Sequence, residues 1–348
     1  MYDVITIGSA TIDAFIECDD ANIVCVNTKK VQNEFMAYPY GAKIEIDHFK
    51  TAIGGGGINA ASNFANLGLC TSAIFKIGKD FQAKTIIQKM EEKNVNLSNI
   101  IVNDTEQSGF SIILVSFEGN RTVLAHRGTN GTISKNEINF DAIKNSKWLY
   151  IAPLNGNSGK VLDVISQFAE EHNVNVAINP GSSSLKKGMK YFENILSTAE
   201  VVVMNKEEAA LVTKIEVRPD TKEQKFSCEI IHPDIRLMLQ KLKSTHAKIV
   251  IITDGKNGVY AYDGNFYYQC PEFPAKVVST LGAGDALSST FVAALEHTGW
   301  DIGKSLMMAS VNASSVVSKF GAQEGFMTFE EIEKCLEQNS DFQVNIVE

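Results

Sequence analysis

Short apolar runs alternate with segments of helical periodicity along most of the chain, between about residue 54 and residue 320. The apolar runs that we interpret as buried strands are 3–8, 73–77, 148–152, 174–178, 201–204 and 249–253. Helices are expected between strands of this series, among them 59–68, 159–172 and 206–212. This alternation predicts an α/β fold in three layers, α/β/α, with a central, mostly parallel sheet and helices on both of its faces.

Two stretches, 14–53 and 104–126, interrupt this pattern with strand-like pieces such as 43–46. The second contains two apolar runs joined by Glu118-Gly119-Asn120, which is a hairpin signal. We predict that both stretches form a small β lid, because long excursions from a compact domain are usually functional. The alternative is surface decoration. A polar stretch at 215–236 is expected to be an exposed loop. The α/β core would then comprise residues 1–13, 54–103 and 127–348.

Composition limits what the chain can bind. Of its 348 residues 44% are hydrophobic, and 32 basic against 41 acidic residues give a net charge of −9. An acidic surface repels phosphate backbones, so nucleic acid is a disfavoured partner. No apolar run approaches the roughly 18 residues of a membrane span, and the N-terminus lacks the features of a signal peptide. Six cysteines occur without a Cys-x-x-Cys pair, so we expect a cytoplasmic protein with reduced cysteines and no zinc site.

The segment Ser279 to Asp285 has the composition of an anion-binding turn. Gly282, Ala283 and Gly284 precede an apolar helix expected from Ala286 onward. Backbone N–H groups that no bulky side chain screens, next to a helix N-terminus, suit a phosphate or a developing anion. Asp285 would stand beside them as a proton acceptor, and an anion site next to a base is what phosphoryl transfer to a hydroxyl requires. The alternative is an ordinary glycine-rich connection with Asp285 as the N-cap of the helix.

A second glycine-rich connection lies near the N-terminus. Four consecutive glycines, Gly54 to Gly57, allow the backbone to approach a bound molecule closely, and Asn59 offers both a donor and an acceptor. The alternative is a flexible linker, although linkers rarely lead directly into an amphipathic helix. Asp13 follows the first strand, where ligand contacts collect in open α/β sheets, or it is simply a turn carboxylate.

These motifs together resemble the signatures of the ribokinase-like (PfkB) sugar and nucleoside kinases. Gly54-Gly55-x-Gly57-x-Asn59, followed by Leu67-Gly68, looks like the N-terminal signature of that family, and Gly282-Ala283-Gly284-Asp285 looks like the C-terminal one. Their order, separation and context make the pair specific, and the resemblance covers about residues 2–325. Further similar segments are Asn205-x-x-Glu208, the strand and glycine turn 251–259, and the loop Phe320-Gly321-Ala322-Gln323 near the family's adenine pocket.

The resemblance implies a role for each matching position. Asp285 would be the catalytic base, and the N–H groups of Gly282, Ala283 and Gly284 would form the anion hole. The acceptor would be held by Asp13, Gly55, Gly56 and Asn59. Arg127 would add positive charge or contact the acceptor, unless it is a solvated arginine after a strand. Asn205 and Glu208 would organise Mg²⁺, Glu208 through water. The ATP site would include Thr253, Gly255, Gly258 and Asn312.

Two positions depart from the family pattern. Ser279 replaces an Asp that in the family helps to organise a monovalent-cation site, which makes activation by potassium doubtful. Gly56 stands where true ribokinases commonly have Lys, which weakens an assignment to ribose specifically. Neither change affects the base or the anion hole.

The sequence therefore predicts a Mg²⁺-dependent kinase that transfers the γ-phosphoryl group of ATP to a hydroxymethyl group of a small sugar. A nucleoside is the second choice of acceptor. An alternative function of another class is that of a non-catalytic, ligand-binding regulator built on the kinase scaffold. An NAD-dependent oxidoreductase is a weaker choice, because no Gly-x-Gly-x-x-Gly follows the first strand. Lids of this kind often pair between subunits in the family, so the resemblance also implies a homodimer through the lid.

Overall fold

The computed structural model describes residues 1–17, 22–27, 32–116, 121–181, 185–186, 188–218 and 231–348. The expected Glu118-Gly119-Asn120 tip lies outside these ranges, as does most of the polar stretch 215–236. The described end of that stretch is not a loop, because Pro233 begins a helix. Within the described ranges, no helix has both the length and the apolar character needed to cross a membrane.

A nine-stranded sheet forms the centre of the molecule. Its strands are β1 (Tyr2–Ile7), β6 (Thr71–Ile74), β11 (Ser146–Ile151), β12 (Asn175–Ile178), β13 (Val201–Asn205), β14 (Ile249–Thr253), β15 (Val259–Tyr262), β16 (Tyr267–Cys270) and β17 (Asn345–Val347). They lie in the order β17-β16-β15-β14-β13-β12-β11-β1-β6. Neighbours from β6 to β14 are parallel, and β15, β16 and β17 continue the sheet in antiparallel fashion. The expected mostly parallel sheet is confirmed.

One predicted strand is divided. The apolar run 73–77 contributes its first part to β6, whereas β7 (Lys76–Ile77) pairs in parallel with β8 (Ile101–Val102) as a separate two-stranded sheet. The other strands predicted for the central sheet are present, with boundaries displaced by at most a few residues.

Helices cover both faces of the central sheet. They are α1 (Gly56–Asn66), α2 (Phe81–Glu92), α3 (Phe140–Lys144), α4 (Leu162–Glu171), α5 (Glu193–Thr198), α6 (Lys206–Thr213), α7 (Pro233–Lys243), α8 (Ala283–His297), α9 (Ile302–Val317) and α10 (Phe329–Gln338). Alternate residues of a strand point to opposite faces. Accordingly Leu149 and Ile151 share a core with α4, α6 and α7, whereas Trp148 and Tyr150 share one with α1, α8 and α9. The three-layer arrangement is as expected.

A four-stranded sheet, called the small sheet below, stands beside the central one. Its strands are β2 (Thr11–Glu17), β5 (His48–Gly54), β9 (Gly109–Val115) and β10 (Arg121–His126), in the order β10-β9-β2-β5. The strands β3 (Asn22–Asn27) and β4 (Gln32–Ala37) form a separate antiparallel hairpin. The prediction of a strand at 43–46 is wrong, because these residues form no strand. Ile53 is buried beside Ile12 and defines the pairing of β5 with β2, whereas Ile46 is exposed.

Strand β2 joins the small sheet to the body of the molecule. Its Ile12 lies in a core that also contains Ile58 of α1 and Ile86 of α2. The neighbouring Asp13 and Phe15 are on the other face of the strand, and the Phe15 ring lies 4.6 Å from that of Phe320. One face of the small sheet is thus anchored, and the other faces the loop that contains Phe320. The division of the chain into a core and a lid at residues 13, 54, 104 and 127 stays a prediction.

Candidate active site

Helix α8 begins three residues earlier than expected, directly after Gly282. The φ of Gly282 is 80°, in the left-handed region, and a Cβ there would lie only 2.7 Å from the Cα of Ala322, so glycine is required. No side chain caps this helix. The first N–H groups of a helix have no partner within it, so this end can bind an anion. Asp285 lies inside the first turn, which overturns the alternative that it is the N-cap.

The carboxyl group of Asp285 meets the start of helix α1. Asn59 Nδ2 donates a hydrogen bond of 2.8 Å to Asp285 Oδ2. A Cβ on Gly56 would be 3.3 Å from Asp285 Oδ1. Burial raises the pKa of Asp285, the bond from Asn59 lowers it, and the nearby negative charge of Glu208 raises it. A carboxylate held in this way is a stronger proton acceptor than an exposed one.

The side chain of Asp13 lies directly over Gly54, where a Cβ would collide with the carboxylate. Asp13 is buried, and its Oδ1 accepts a hydrogen bond of 3.1 Å from Thr11 Oγ1. Burial raises the pKa of Asp13, and hydrogen bonds from Ser111 and Thr11 lower it. Gly55, with a φ of 102°, is the N-cap residue of α1. The structure thus gathers the predicted acceptor residues Asp13, Gly55, Gly56 and Asn59 around the N-terminus of one helix, next to Asp285.

The carboxyl ends of β13 and β14 bring a second group of predicted residues together. Asn205 and Thr253 are direct register partners at these strand ends. Asn205 and Glu208 form a capping box at the start of α6, in which Asn205 Oδ1 accepts from Glu208 N at 2.8 Å and Glu208 Oε2 accepts from Asn205 N at 3.1 Å. The next residue in the chain, Lys206, forms an ion pair with Asp254. This pair links the two strand ends and fixes the loops that follow them.

A cleft of about 330 Å³ lies between these strand ends and helix α8. Thr253, Gly255 and Gly258 line it on one side, and Ala283 and Gly284 line it on the other. Further along, the cleft is lined by Lys256, Phe273, Val277 and Leu287. It therefore joins an apolar region, suited to a planar base, to a helix N-terminus suited to phosphate.

Two predicted site residues, Asn312 and Arg127, do not line this cleft. Asn312 is fully buried and donates hydrogen bonds to Asn63 Oδ1 and Thr290 Oγ1, at 3.0 and 2.7 Å. Other residues of α9, such as Ala313, line the cleft, whereas Asn312 is on the opposite face of that helix and does not. Asn312 thus does not line this cleft, and its place along the nucleotide site stays a prediction. Arg127 is exposed at the start of the turn after β10, and its role stays a prediction.

The sequence did not predict the contacts that three residues make at the site. Gln323 Nε2 donates to Asn59 Oδ1 at 2.9 Å, so the loop that resembles the family's adenine-pocket loop also contacts the predicted acceptor residues. Phe320 in the same loop lies against the small sheet, with the Lys50 ammonium 4.8 Å from its ring centroid. Arg121 of β10 donates to Thr280 Oγ1 at 2.8 Å, just before the anion-binding turn. No local sequence pattern marks these long-range contacts.

Comparison with known proteins tests the family resemblance independently of the geometry of the site. Residues 20–328 match the family model described as pfkB family carbohydrate kinase. A bifunctional ribokinase/ribose-5-phosphate isomerase A of Fructilactobacillus sanfranciscensis is 28% identical over 90% of this chain, which spans 55% of that protein. A ribokinase of Staphylococcus aureus is 26% identical over 94% of the chain and 98% of its own length. A 5-dehydro-2-deoxygluconokinase of Bacillus subtilis is 26% identical over 97% of both chains.

Solved structures share the same fold. The Arabidopsis thaliana ribokinase complexed with ribose and ATP superposes with a TM-score of 0.78 at 20% identity, covering 97% of this chain and 99% of its own. The Burkholderia thailandensis nucleoside kinase in complex with inosine gives a TM-score of 0.74 at 16% identity, covering 98% and 99%. At these identities the likeness establishes a ribokinase-like fold.

Proposed function

This chain belongs to the pfkB family of carbohydrate kinases, and from that premise we propose that it transfers the γ-phosphoryl group of ATP to a hydroxymethyl group of a small sugar, with Asp285 as the general base. The observation that carries the proposal is the position of Asp285. Its carboxyl group accepts a hydrogen bond from Asn59 on the proposed acceptor side, while Ala283 and Gly284 of the same helical turn line the cleft.

The proposed reaction uses the two sides of this turn. Asp13 and Asn59 would bind hydroxyl groups of the acceptor and direct one of them at the phosphorus. Asp285 would take the proton of that hydroxyl as the new O–P bond forms and the bond to the ADP oxygen breaks. The backbone N–H groups at Gly282, Ala283 and Gly284 would stabilise the charge on the phosphoryl oxygens. Nucleotide binding would involve Thr253, Gly255 and Gly258.

Magnesium is part of the proposal. In the part of the chain that the structure describes, no three His, Cys, Asp or Glu side chains come together as a metal site. This fits Mg²⁺, which commonly takes its ligands from substrate phosphates and water and from one or two carboxylates. Glu208, buried and close enough to affect Asp285, would hold the ion through water, with Asn205 organising that carboxylate. The ion would supply neutralisation of phosphate charge. Ser279 leaves activation by potassium doubtful.

The small sheet would act as a lid. Phe15 and Lys50 contact Phe320, and Arg121 reaches Thr280, so the sheet rests on the two loops that flank the proposed site. Closure would exclude water and suppress hydrolysis of ATP.

A panel of small sugars and nucleosides tests the proposal, with ADP release measured for each and Asp285→Ala as the matched control. We expect turnover with a sugar and none in the variant, which should still be folded. Turnover of nucleosides alone would replace the sugar by the second candidate, which is favoured by the 53% exposed Phe35 as a surface for a purine. A regulator would bind ligand without turnover, equally in both proteins.

A further inference from the structure

Behind Asp285 lies a chain of buried hydrogen bonds. Ser62 Oγ donates to Gln323 Oε1 at 3.0 Å, Gln323 Nε2 donates to Asn59 Oδ1 at 2.9 Å, and Asn59 Nδ2 donates to Asp285 Oδ2 at 2.8 Å. Asn59, Ser62 and Gln323 are each less than a tenth exposed. Nothing in the proposed reaction uses Gln323 or Ser62.

The direction of this chain matters because an amide side chain has two different ends. Only the NH₂ end of Asn59 can donate to a carboxylate, and its oxygen in that place would repel the base. Gln323 presents its own NH₂ to the oxygen of Asn59 and so fixes which end of Asn59 faces Asp285. The hydroxyl of Ser62, by donating to Gln323 Oε1, fixes Gln323 in turn.

The loop that carries Gln323 has little freedom to move. Ala322 packs against Gly282, where an added Cβ would be 2.7 Å from its Cα, and Phe320 is held by Phe15 and Lys50. A rigid support of this kind lets one side chain hold another within the narrow limits that proton transfer needs.

We propose that Gln323 is a positioning residue for the phosphoryl transfer, which orients the Asn59 amide so that it donates to the base Asp285. The inference rests on the proposed function for its effect on rate, but its structural content is independent of it. Without Gln323 the Asn59 amide is free to turn, and the ionised form of Asp285 loses its oriented donor.

The expected direction of the change in the pKa of Asp285 follows from the groups around its carboxyl group. Burial and the charge of Glu208 raise its pKa, Asn59 lowers it, and the Tyr150 hydroxyl in the same interior is bonded to Ser288. Loss of the oriented donor therefore raises the pKa of Asp285 further. A base must be deprotonated to act, so the fall of kcat/KM at acid pH moves to higher pH.

Two variants test this. Gln323→Met keeps the size of the side chain and removes its donor, and Gln323→Glu keeps its shape and replaces the donor by an acceptor. We expect the acidic limb of kcat/KM to move up by about one pH unit in the first, corresponding to a roughly tenfold change in the ionisation equilibrium, and further in the second. The titration of Asp285 in the free protein, followed by NMR of ¹³C-labelled aspartate carboxyls and assigned with Asp285→Asn, should move in the same order.

Asn99→Leu is the matched control. Asn99 is a buried amide in a similar chain, donating to Ser72 Oγ at 2.9 Å and accepting from Asn139 Nδ2 at 2.8 Å, and neither partner belongs to the site. It should lose stability without moving the titration of Asp285 or the pH profile. Should a Gln323 variant fail to fold, Ser62→Ala is the second test, with a smaller shift in the same direction.

An unchanged Asp285 titration in the Gln323 variants would overturn the inference, whatever the enzyme turns over. A moved titration in a protein without any sugar or nucleoside kinase activity would uphold the positioning of Asp285 and reject the proposed function. The two failures are therefore distinguishable.

Discussion

Burial of the Asp285 carboxyl group disfavours its charged form, so its pKa is raised above the ordinary 3.8. Because the folded-state pKa is raised, the protein loses stability as the pH rises from about 3.8 through the folded pKa. The loss amounts to about 1.4 kcal/mol for each unit of difference between the folded and unfolded states. The base is thus retained at a cost in stability.

Asp285→Asn should therefore raise Tm at pH 7.5 and lower kcat by roughly 10²–10⁴. The neutral amide avoids the penalty of burying a charge and can still accept from Asn59. Thermal unfolding and ADP release measure the two effects.

Asp80→Asn is the control of opposite sign. Asp80 caps α2, and although burial raises its pKa, hydrogen bonds from Ser108 and Ala83 outweigh this and lower it. This variant should lower Tm at pH 7.5 and keep turnover. A lower Tm for Asp285→Asn as well would contradict the argument.

At the scale of elements, two glycines at the start of α8 have opposite requirements. Gly282 combines a positive φ with a close approach to Ala322, whereas a Cβ on Gly284 would meet nothing within 4 Å. Gly282→Ala should reduce the free energy of unfolding by about 1–2 kcal/mol or more. Gly284→Ala should leave it unchanged or raise it by up to ~1 kcal/mol.

The functional effect of the Gly284 variant should be the reverse of its effect on stability. Gly284 lines the cleft, so an added methyl group would narrow the proposed phosphate site and raise KM for ATP. Urea unfolding and steady-state kinetics on both variants check this. Wild-type kinetics in Gly284→Ala would contradict the placement of the phosphates at this turn.

These helix starts also mark the limit of prediction from sequence. The apolar periodicity located α1 and α8, but both begin three residues earlier than expected, at Gly56 and Ala283. Glycine is a poor helix former, so the sequence predicts glycine-rich connections rather than helix at Gly54 to Gly57 and at Gly282 to Gly284. Contacts distant in sequence keep these positions small: a Cβ on Gly57 would be 2.7 Å from the carbonyl carbon of Gly8.

The same limit applies to the prediction of the candidate site. Motifs located Asp285 and Asn59, because their residue types and spacing are specific. They could not show that Asn312 does not line the cleft, because α9 is buried around most of its circumference and its sequence pattern does not reveal which face meets the cleft. Gln323 was missed as a partner of Asn59, because the pairing of residues 264 positions apart leaves no local signal.

At the scale of the whole molecule, the small sheet and the neighbouring hairpin expose apolar side chains. Leu124 of β10, Phe49 of β5 and Val24 of β3 are 53%, 62% and 45% exposed. Such side chains on the proposed lid support the predicted homodimer. We expect light scattering to report a dimer and Leu124→Lys to dissociate it. Leu237→Lys, at a 49% exposed position of α7, is the matched control and should remain dimeric. A wild-type monomer at working concentration would contradict the prediction.

The hydrogen-bond chain from Gln323 to Asp285 has a consequence for biosynthesis. A protein is synthesised from its N-terminus, so Asn59 is made well before its partners Asp285 and Gln323, which lie 226 and 264 positions further along. A growing chain on the ribosome can already contain the glycine-rich start of α1, and later Asp285, without the residue that orients them. The hydrogen-bond chain that holds Asp285 would then be completed only after Gln323 has been translated.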